Sequence, residues 1–179
     1  MSALSELLLI WSIFILARSL ENPDLASWAG EAKDGLILFS MGSMISEMHE
    51  SKTQIFVNAL NRVPMRVIWR FSGKLPKNVG NNIKVMDWFP QNDLMGHENT
   101  KLFISHGGMN AKIPPEFSIF IFSGTNGLYE AIYHGVPILG LPIVVDQFDN
   151  MQRITGRGAG RTLDISNLTE DKLYENIMK

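Results

Sequence analysis

Residues 88–108 read WFPQNDLMGHENTKLFISHGG, and residues 125–150 read TNGLYEAIYHGVPILGLPIVVDQFDN. Across these two halves the hydrophobic period switches between strand and helix. Residues 101–105 form a short apolar run that ends on His106-Gly107-Gly108, which reads as a strand buried in a sheet. Residues 126–134 place Leu128, Ala131 and Ile132 at i, i+3 and i+4, and Gly135 supplies the stop. Residues 136–145 predict a further strand, broken by Pro142, and residues 146–156 a further helix. Strands alternating with helices at this spacing mean a parallel α/β sheet.

Outward from this stretch the alternation continues. Residues 35–41 (GLILFSM) are an apolar run bounded by glycines, 66–71 (RVIWRF) a second strand and 82–86 a third. Residues 49–63 carry Ile55, Phe56, Leu60 and Val63 at helical spacing, and 91–97 predict a short helix whose first turn Asp93 favours. Residues 161–165 predict a strand and 168–178 a last helix. Residues 21–34, with Pro23 and Gly30, read as a linker or short helix.

A chain of 179 residues is enough for one domain with a real core and too short for two full ones. Its 16 Lys and Arg against 18 Asp and Glu leave a net charge of −2, without the basic excess that nucleic acid demands. The absence of cysteine excludes disulfides, thiolate-bound zinc and thiol catalysis. At the amino terminus, residues 7–17 (LLLIWSIFILA) are apolar except for Ser12. Such a run falls short of the roughly 20 residues that cross a bilayer as a helix. Its length suits a signal-peptide core, yet Glu6 precedes it and no Lys or Arg does. A signal or anchor, a buried element and translated non-coding sequence all remain open.

In open α/β sheets, ligands bind beyond the carboxyl ends of the strands. Ser43, Trp88, His106 and Asp146 each follow an apolar run, so the fold would gather them at one edge. An indole face such as Trp88 can stack on a base, for roughly 1–3 kcal/mol. The bland alternative is that Trp88 is core. Gly107 and Gly108 allow backbone N–H groups to approach an anion, and the helix after Asn126 points its positive end the same way. Glu130 lies one turn beyond Asn126, as a ligand group or as a solvated helix charge. Asp146 can meet a ligand, cap the next helix, or both.

Taken together, Trp88-Phe89-Pro90-Gln91, His106-Gly107-Gly108, Asn126-Gly127, Glu130 and Asp146-Gln147 resemble the donor-binding signature of the UDP-glycosyltransferases, most closely the glucuronosyltransferase branch. Outside it, Phe39-Ser40-Met41-Gly42-Ser43 resembles the family's phosphate-contacting turn, and Trp69-Arg70 its strand ending in Arg. The resemblance runs from about residue 35 to the end and implies a Rossmann-like sheet flanked by helices, the C-terminal half of a GT-B fold. It implies that Trp88 stacks on uracil while the Phe89 backbone and Gln91 read the uracil edge. It further implies that Ser43, His106, Asn126 and Gly127 serve the diphosphate, that Arg70 belongs to the UDP site, that Glu130 takes the ribose, and that Asp146 and Gln147 take the transferred sugar. UDP-sugar is then a co-substrate, with no cofactor and no metal. The family reaction is transfer of glucuronic acid or another hexose to a small lipophilic acceptor, in the endoplasmic reticulum membrane with luminal domains.

The sequence departs from that pattern. The family's catalytic His and its supporting Asp belong to an acceptor domain that precedes this region, and its membrane helix follows it. The 179 residues alone are therefore expected to bind donor without turnover, because an acceptor hydroxyl needs a general base. A second reading makes the chain a non-catalytic partner of full-length family members, and a third makes it a mis-spliced fragment without function. Residues 109–124 also separate His106-Gly107-Gly108 from Thr125-Asn126-Gly127, which the family joins directly. Gly108-Met109 can be encoded with an intron start, and the run before Gly124 with a T-rich intron end, so the insert reads as a retained intron. The competing reading is a genuine loop or strand around FSIFIF. Lengthening a loop from about 4 to about 20 residues costs only about 1.4 kcal/mol in closure entropy, so the fold tolerates it better than the site does.

Other signals fail on context. Residues 156–160 (GRGAG) imitate a dinucleotide fingerprint but follow a helix. The histidines His49, His97, His106 and His134 show no metal-ligand spacing. Asn167-Leu168-Thr169 is a glycosylation sequon, usable only in a lumen.

Overall fold

The computed structural model describes residues 17–42, 49–108 and 127–179. The apolar run through residue 16, Ser43, the insert 109–124 and Asn126 lie outside the described residues. The strands are β1 (Leu36–Ser40), β2 (Arg66–Arg70), β3 (Ile83–Met86), β4 (Thr100–Ser105), β5 (Ile138–Gly140) and β6 (Gly160–Thr162). They form one sheet in the order β3-β2-β1-β4-β5-β6, and every pairing is parallel. The order runs outward from β1 in both directions, so the switch point falls between β1 and β4.

β1 is the centre of the molecule. Leu36, Ile37, Leu38 and Phe39 are all fully buried, as the uninterrupted apolar run predicts. Alternation along the strand sends Ile37 and Phe39 to one face and Leu36 and Leu38 to the other. On the first face Phe39 stacks on Trp69 (centroids 5.3 Å apart, 15° between planes) and tilts against Phe56 at 5.0 Å. Helices α2 (Glu50–Asn61) and α6 (Glu170–Ile177) close this face through Phe56, Leu60, Leu173 and Ile177. The second face is covered by α1 (Pro23–Gly30), α3 (Gln91–Met95), α4 (Gly127–Tyr133) and α5 (Val145–Thr155), which contribute Leu25, Leu94, Leu128 and Met151.

Local chemistry sets the helix ends. Asn22 accepts from the N–H groups of Asp24 and Leu25 (3.0 and 3.1 Å), with Pro23 opening the helix. Helix α4 stops at Gly135 (φ 68°), where Val136 N–H reaches Ala131 O and Gly135 N–H reaches Ile132 O.

Residues 21–34 contain the short helix that the sequence allowed, α1, whose Leu25 and Ala29 are buried. The structure revises two strand boundaries. β5 occupies only Ile138–Gly140, because Pro137 and Pro142 bring no N–H to the ladder. β6 is Gly160–Thr162, and Asp164 then caps a 3-10 turn over Ile165–Asn167 through Ser166 N–H (2.8 Å), ending the strand early.

Phe39→Ala should cost about 3–5 kcal/mol, because the cavity opens between Trp69 and Phe56 in the aromatic cluster of the core. Urea unfolding of the two chains measures it; a loss below about 1 kcal/mol would mean that the aromatic cluster repacks.

Candidate functional site

The parallel topology brings the carboxyl ends of all six strands to one edge. Ser40 and Ser105 are register partners there, one at the end of β1 and the other at the end of β4. Each hydroxyl accepts the N–H of the glycine two residues on: Gly42 to Ser40 Oγ at 3.5 Å, Gly107 to Ser105 Oγ at 3.2 Å. Both glycines have positive φ, 65° and 78°, so the two loops turn alike on either side of the switch point. Asn150 on α5 donates to Gly107 O at 3.1 Å. A Cβ on Gly107 would stand 2.8 Å from Met151 Cγ, so only glycine lets α5 approach this loop.

His106 sits between these glycine turns and is buried. Burial pushes its pKa down, while the Asp146 carboxylate and the Ser40 backbone favour the charged form. The ring is therefore biased toward the neutral state, with one N–H to offer. Its Nδ1 is buried without a well-aligned hydrogen-bond partner among the described residues. Nε2 faces Gly108, where a Cβ would come within 2.3 Å of it and within 3.3 Å of Gln147 Nε2. Asp146, in the first turn of α5, is exposed. Gln147 is buried, and its Oε1 accepts from Ile143 N–H (2.7 Å) and Val144 N–H (3.1 Å). That bond is half of a capping box, with the N3 side chain reaching back to the N-cap backbone.

A second group forms around α3 and α4. After β3 the chain presents Trp88 outward at 65% exposure and turns the next residue, Phe89, into the core at 2%. Trp88 is thus not a core residue. Gln91 Nε2 donates to Glu130 Oε2 at 2.7 Å, joining the start of α3 to the first turn of α4. Glu130 is buried, and that burial raises its pKa; Gln91 donation opposes the rise and the Asp93 charge adds to it. The solvated-charge alternative for Glu130 does not hold. Gly127 lies against Gln91, where a Cβ would meet Nε2 at 2.8 Å. Arg70 is half-buried at the end of β2, and its Nε donates to Asp87 O at 3.3 Å. Ser43 and Asn126 lie outside the described residues.

Three residues of this edge were not singled out in the sequence: Ser40, Ser105 and Asn150. A signal for the serines existed, since Ser40-Met41-Gly42 and Ser105-His106-Gly107 repeat one Ser-x-Gly pattern at two strand ends. Asn150 gave none, because its contact with Gly107 crosses 43 positions. Among the described residues no group of three or more His, Asp or Glu side chains is placed to hold a metal ion. A cavity of about 380 Å³, bounded by Met65, Lys101, Pro137 and Gly160 among others, lies at the opposite edge of the sheet.

The family described as UDP-glucoronosyl and UDP-glucosyl transferase matches residues 23–113 and 114–179, the break falling inside the insert. The chain belongs to this family. UDP-glucuronosyltransferase 2B17 of Homo sapiens is 41% identical over 160 residues, 82% of this chain and 27% of that protein. The 2-hydroxyacylsphingosine 1-beta-galactosyltransferase of Homo sapiens is 41% identical over 157 residues, 87% of this chain and 26% of that protein. The chain thus spans about a quarter of the length of these UDP-glycosyltransferases. Among solved structures, Os79 from O. sativa in complex with UDP superposes with a TM-score of 0.69 at 22% identity, over 90% of this chain and 34% of that one. CalG4, the calicheamicin glycosyltransferase, gives 0.62 at 18% identity, over 90% and 35%. The α/β sheet flanked by helices is the Rossmann-like arrangement of GT-B glycosyltransferases, as the sequence implied.

The raised pKa of Glu130 has a thermodynamic consequence. Folding takes up protons at this group, so its contribution to stability is fully present below the ordinary carboxylate pKa and is lost as pH rises through the raised value. Glu130→Gln removes that loss. The stability of the variant relative to the parent should therefore grow with pH across this window and level off above it. Urea titrations of both proteins at a series of pH values check the trend; a constant offset would show a carboxyl that titrates as in water.

Proposed function

We propose that this UDP-glycosyltransferase chain binds the UDP portion of a sugar nucleotide at the carboxyl edge of its sheet and presents the sugar for transfer to a small lipophilic acceptor. The observation that carries the reading is an outward Trp88 followed three residues on by Gln91, whose part-buried bond to Glu130 joins α3 to α4. An exposed indole face is costly in water unless something covers it, and a nucleobase is a matching flat surface. In this reading Trp88 stacks on uracil, while the Phe89 backbone and Gln91 read its edge. Glu130, already held by Gln91, accepts the ribose hydroxyls.

His106 and Gly127, with Asn126 and Ser43, serve the diphosphate, and Arg70 adds positive charge at the same edge. A neutral His106 suits this role, since it can donate a hydrogen bond without a buried charge that needs its own partner. Asp146 and Gln147 meet the sugar. In the transfer itself an acceptor hydroxyl oxygen attacks the anomeric carbon, UDP departs with the electrons of the broken bond, and the hydroxyl proton passes to the general base that the family's acceptor domain carries. Donors at the diphosphate stabilise the charge that develops on the leaving group. UDP-sugar is the co-substrate, and the reading invokes no metal.

Two measurements test it. Calorimetric titration should show UDP bound in preference to ADP, with Trp88→Ala weakening UDP by about 1–3 kcal/mol and Trp88→Phe by less. Equal binding of UDP and ADP would overturn the uracil assignment.

The insert supplies the second. Deleting residues 109–124 joins His106-Gly107-Gly108 directly to Thr125-Asn126-Gly127 and brings the strand-end loop and the helix start into one continuous turn. UDP affinity, corrected for the folded fraction, should rise on deletion. Unchanged affinity would mean that the insert is a tolerated loop.

A further inference from the structure

The peptide between Gly107 and Gly108 lies in the loop that follows β4, and its own backbone does not fix which way it is turned. Gly107 has φ 78°, in the left-handed region, and the next residue is also a glycine. With no Cβ on either side, sterics oppose rotation of this peptide only weakly. Its direction must come from hydrogen bonds.

Side chains supply them. Ser105 holds the peptide before it: Gly107 N–H donates to Ser105 Oγ at 3.2 Å, and Ser105 is fixed in the sheet, where its carbonyl accepts from Leu141 N–H at 2.8 Å. Asn150 holds the Gly107–Gly108 peptide itself, its Nδ2 donating to Gly107 O at 3.1 Å. Helix α5, which carries Asn150, is seated against this loop. Met151 is buried, and its Cγ would stand 2.8 Å from a Cβ on Gly107 and 2.7 Å from one on Gly140.

In a trans peptide the C=O and the following N–H point in opposite directions. With Gly107 O drawn toward α5, the Gly108 N–H is turned away from that helix. It has no hydrogen-bond partner among the described residues. Beside it stand His106 and Gln147: a Cβ on Gly108 would collide with His106 Nε2 and lie 3.3 Å from Gln147 Nε2. A free backbone donor held in one direction, next to a side-chain amide and an imidazole, suits an anionic oxygen.

We propose that Asn150 is a positioning residue for anion binding: it holds the Gly107–Gly108 peptide so that the Gly108 N–H stays free to donate to a phosphate oxygen. The inference rests on the reading of this edge as a diphosphate site, and adds to it a backbone donor and the side chain that orients it. Without the Asn150 bond the peptide between the two glycines can turn over and offer its carbonyl to the anion instead.

The test compares UDP with uridine on the full chain, UDP by calorimetry and uridine by NMR titration. Asn150→Leu, similar in volume but without a donor, should weaken UDP at least about ten-fold and leave uridine within about two-fold, since only UDP loses a hydrogen bond to a charged group. Unchanged UDP affinity, or UDP and uridine weakened alike, would overturn the positioning role while leaving the donor site standing. Should Asn150→Leu fail to fold, Asn150→Ala carries the same expectation. A parent chain that binds no UDP would count against the donor site, and inorganic diphosphate then decides the role of Asn150. In nitrogen-labelled protein the Gly108 amide should shift when the parent is titrated and stay in place in the variant. A Gly108 amide that shifts in both, or in neither, overturns the proposal.

Discussion

The burial of β1 on both faces is the constraint from which the rest follows. A strand with no exposed residue from Leu36 to Phe39 must have hydrogen-bonded neighbours on each side and helices above and below. Parallel pairing then sends every return connection across a face, so all strands end at the same edge. The functional edge is a product of that topology. Ser40 and Ser105 complete it, since their hydroxyls take up the N–H groups of Gly42 and Gly107 just where the β1 and β4 ladders end.

Two titratable groups are buried at this edge, and burial biases both toward neutrality. Glu130 is pushed up and His106 down, by the same desolvation acting on charges of opposite sign. Each has a modest counterweight: Gln91 donates to Glu130, and the Asp146 charge faces His106. Perturbed groups of this kind concentrate where ligands bind, although a buried structural network can produce them too. Here both groups lie on the edge that topology alone marks as the ligand side, which is why they are read as functional.

Residues 109–124 precede α4, whose start carries Gly127 and Glu130, and residue 17 lies beside its end. Helix α4 is held to the core by Leu128 and Ala131, to α3 by the Gln91–Glu130 bond, and at its end by the Gly135 turn. Seven residues cannot sustain a helix alone, so these tertiary contacts maintain it.

Much of the fold was legible in the sequence because buried parallel strands and amphipathic helices leave periodic marks. Residues 35–41, 66–71, 82–86 and 101–105 each fall on an observed strand, and Gly135 is the helix stop it was read to be. The short strands β5 and β6 were placed with wrong limits, since their extent depends on which partner N–H groups exist, and Pro137, Pro142 and the Asp164 cap decide that. Within the site, residue types in order were enough to nominate Trp88, Gln91, His106, Glu130 and Asp146. Only the tertiary structure decided that Trp88 faces outward while Phe89 is core, that Gln91 holds Glu130, and that Gln147 caps the α5 backbone. The reason is physical: composition and period fix which elements form, whereas exposure and hydrogen-bond partners are set by residues distant in the chain, 39 positions apart in the case of Gln91 and Glu130.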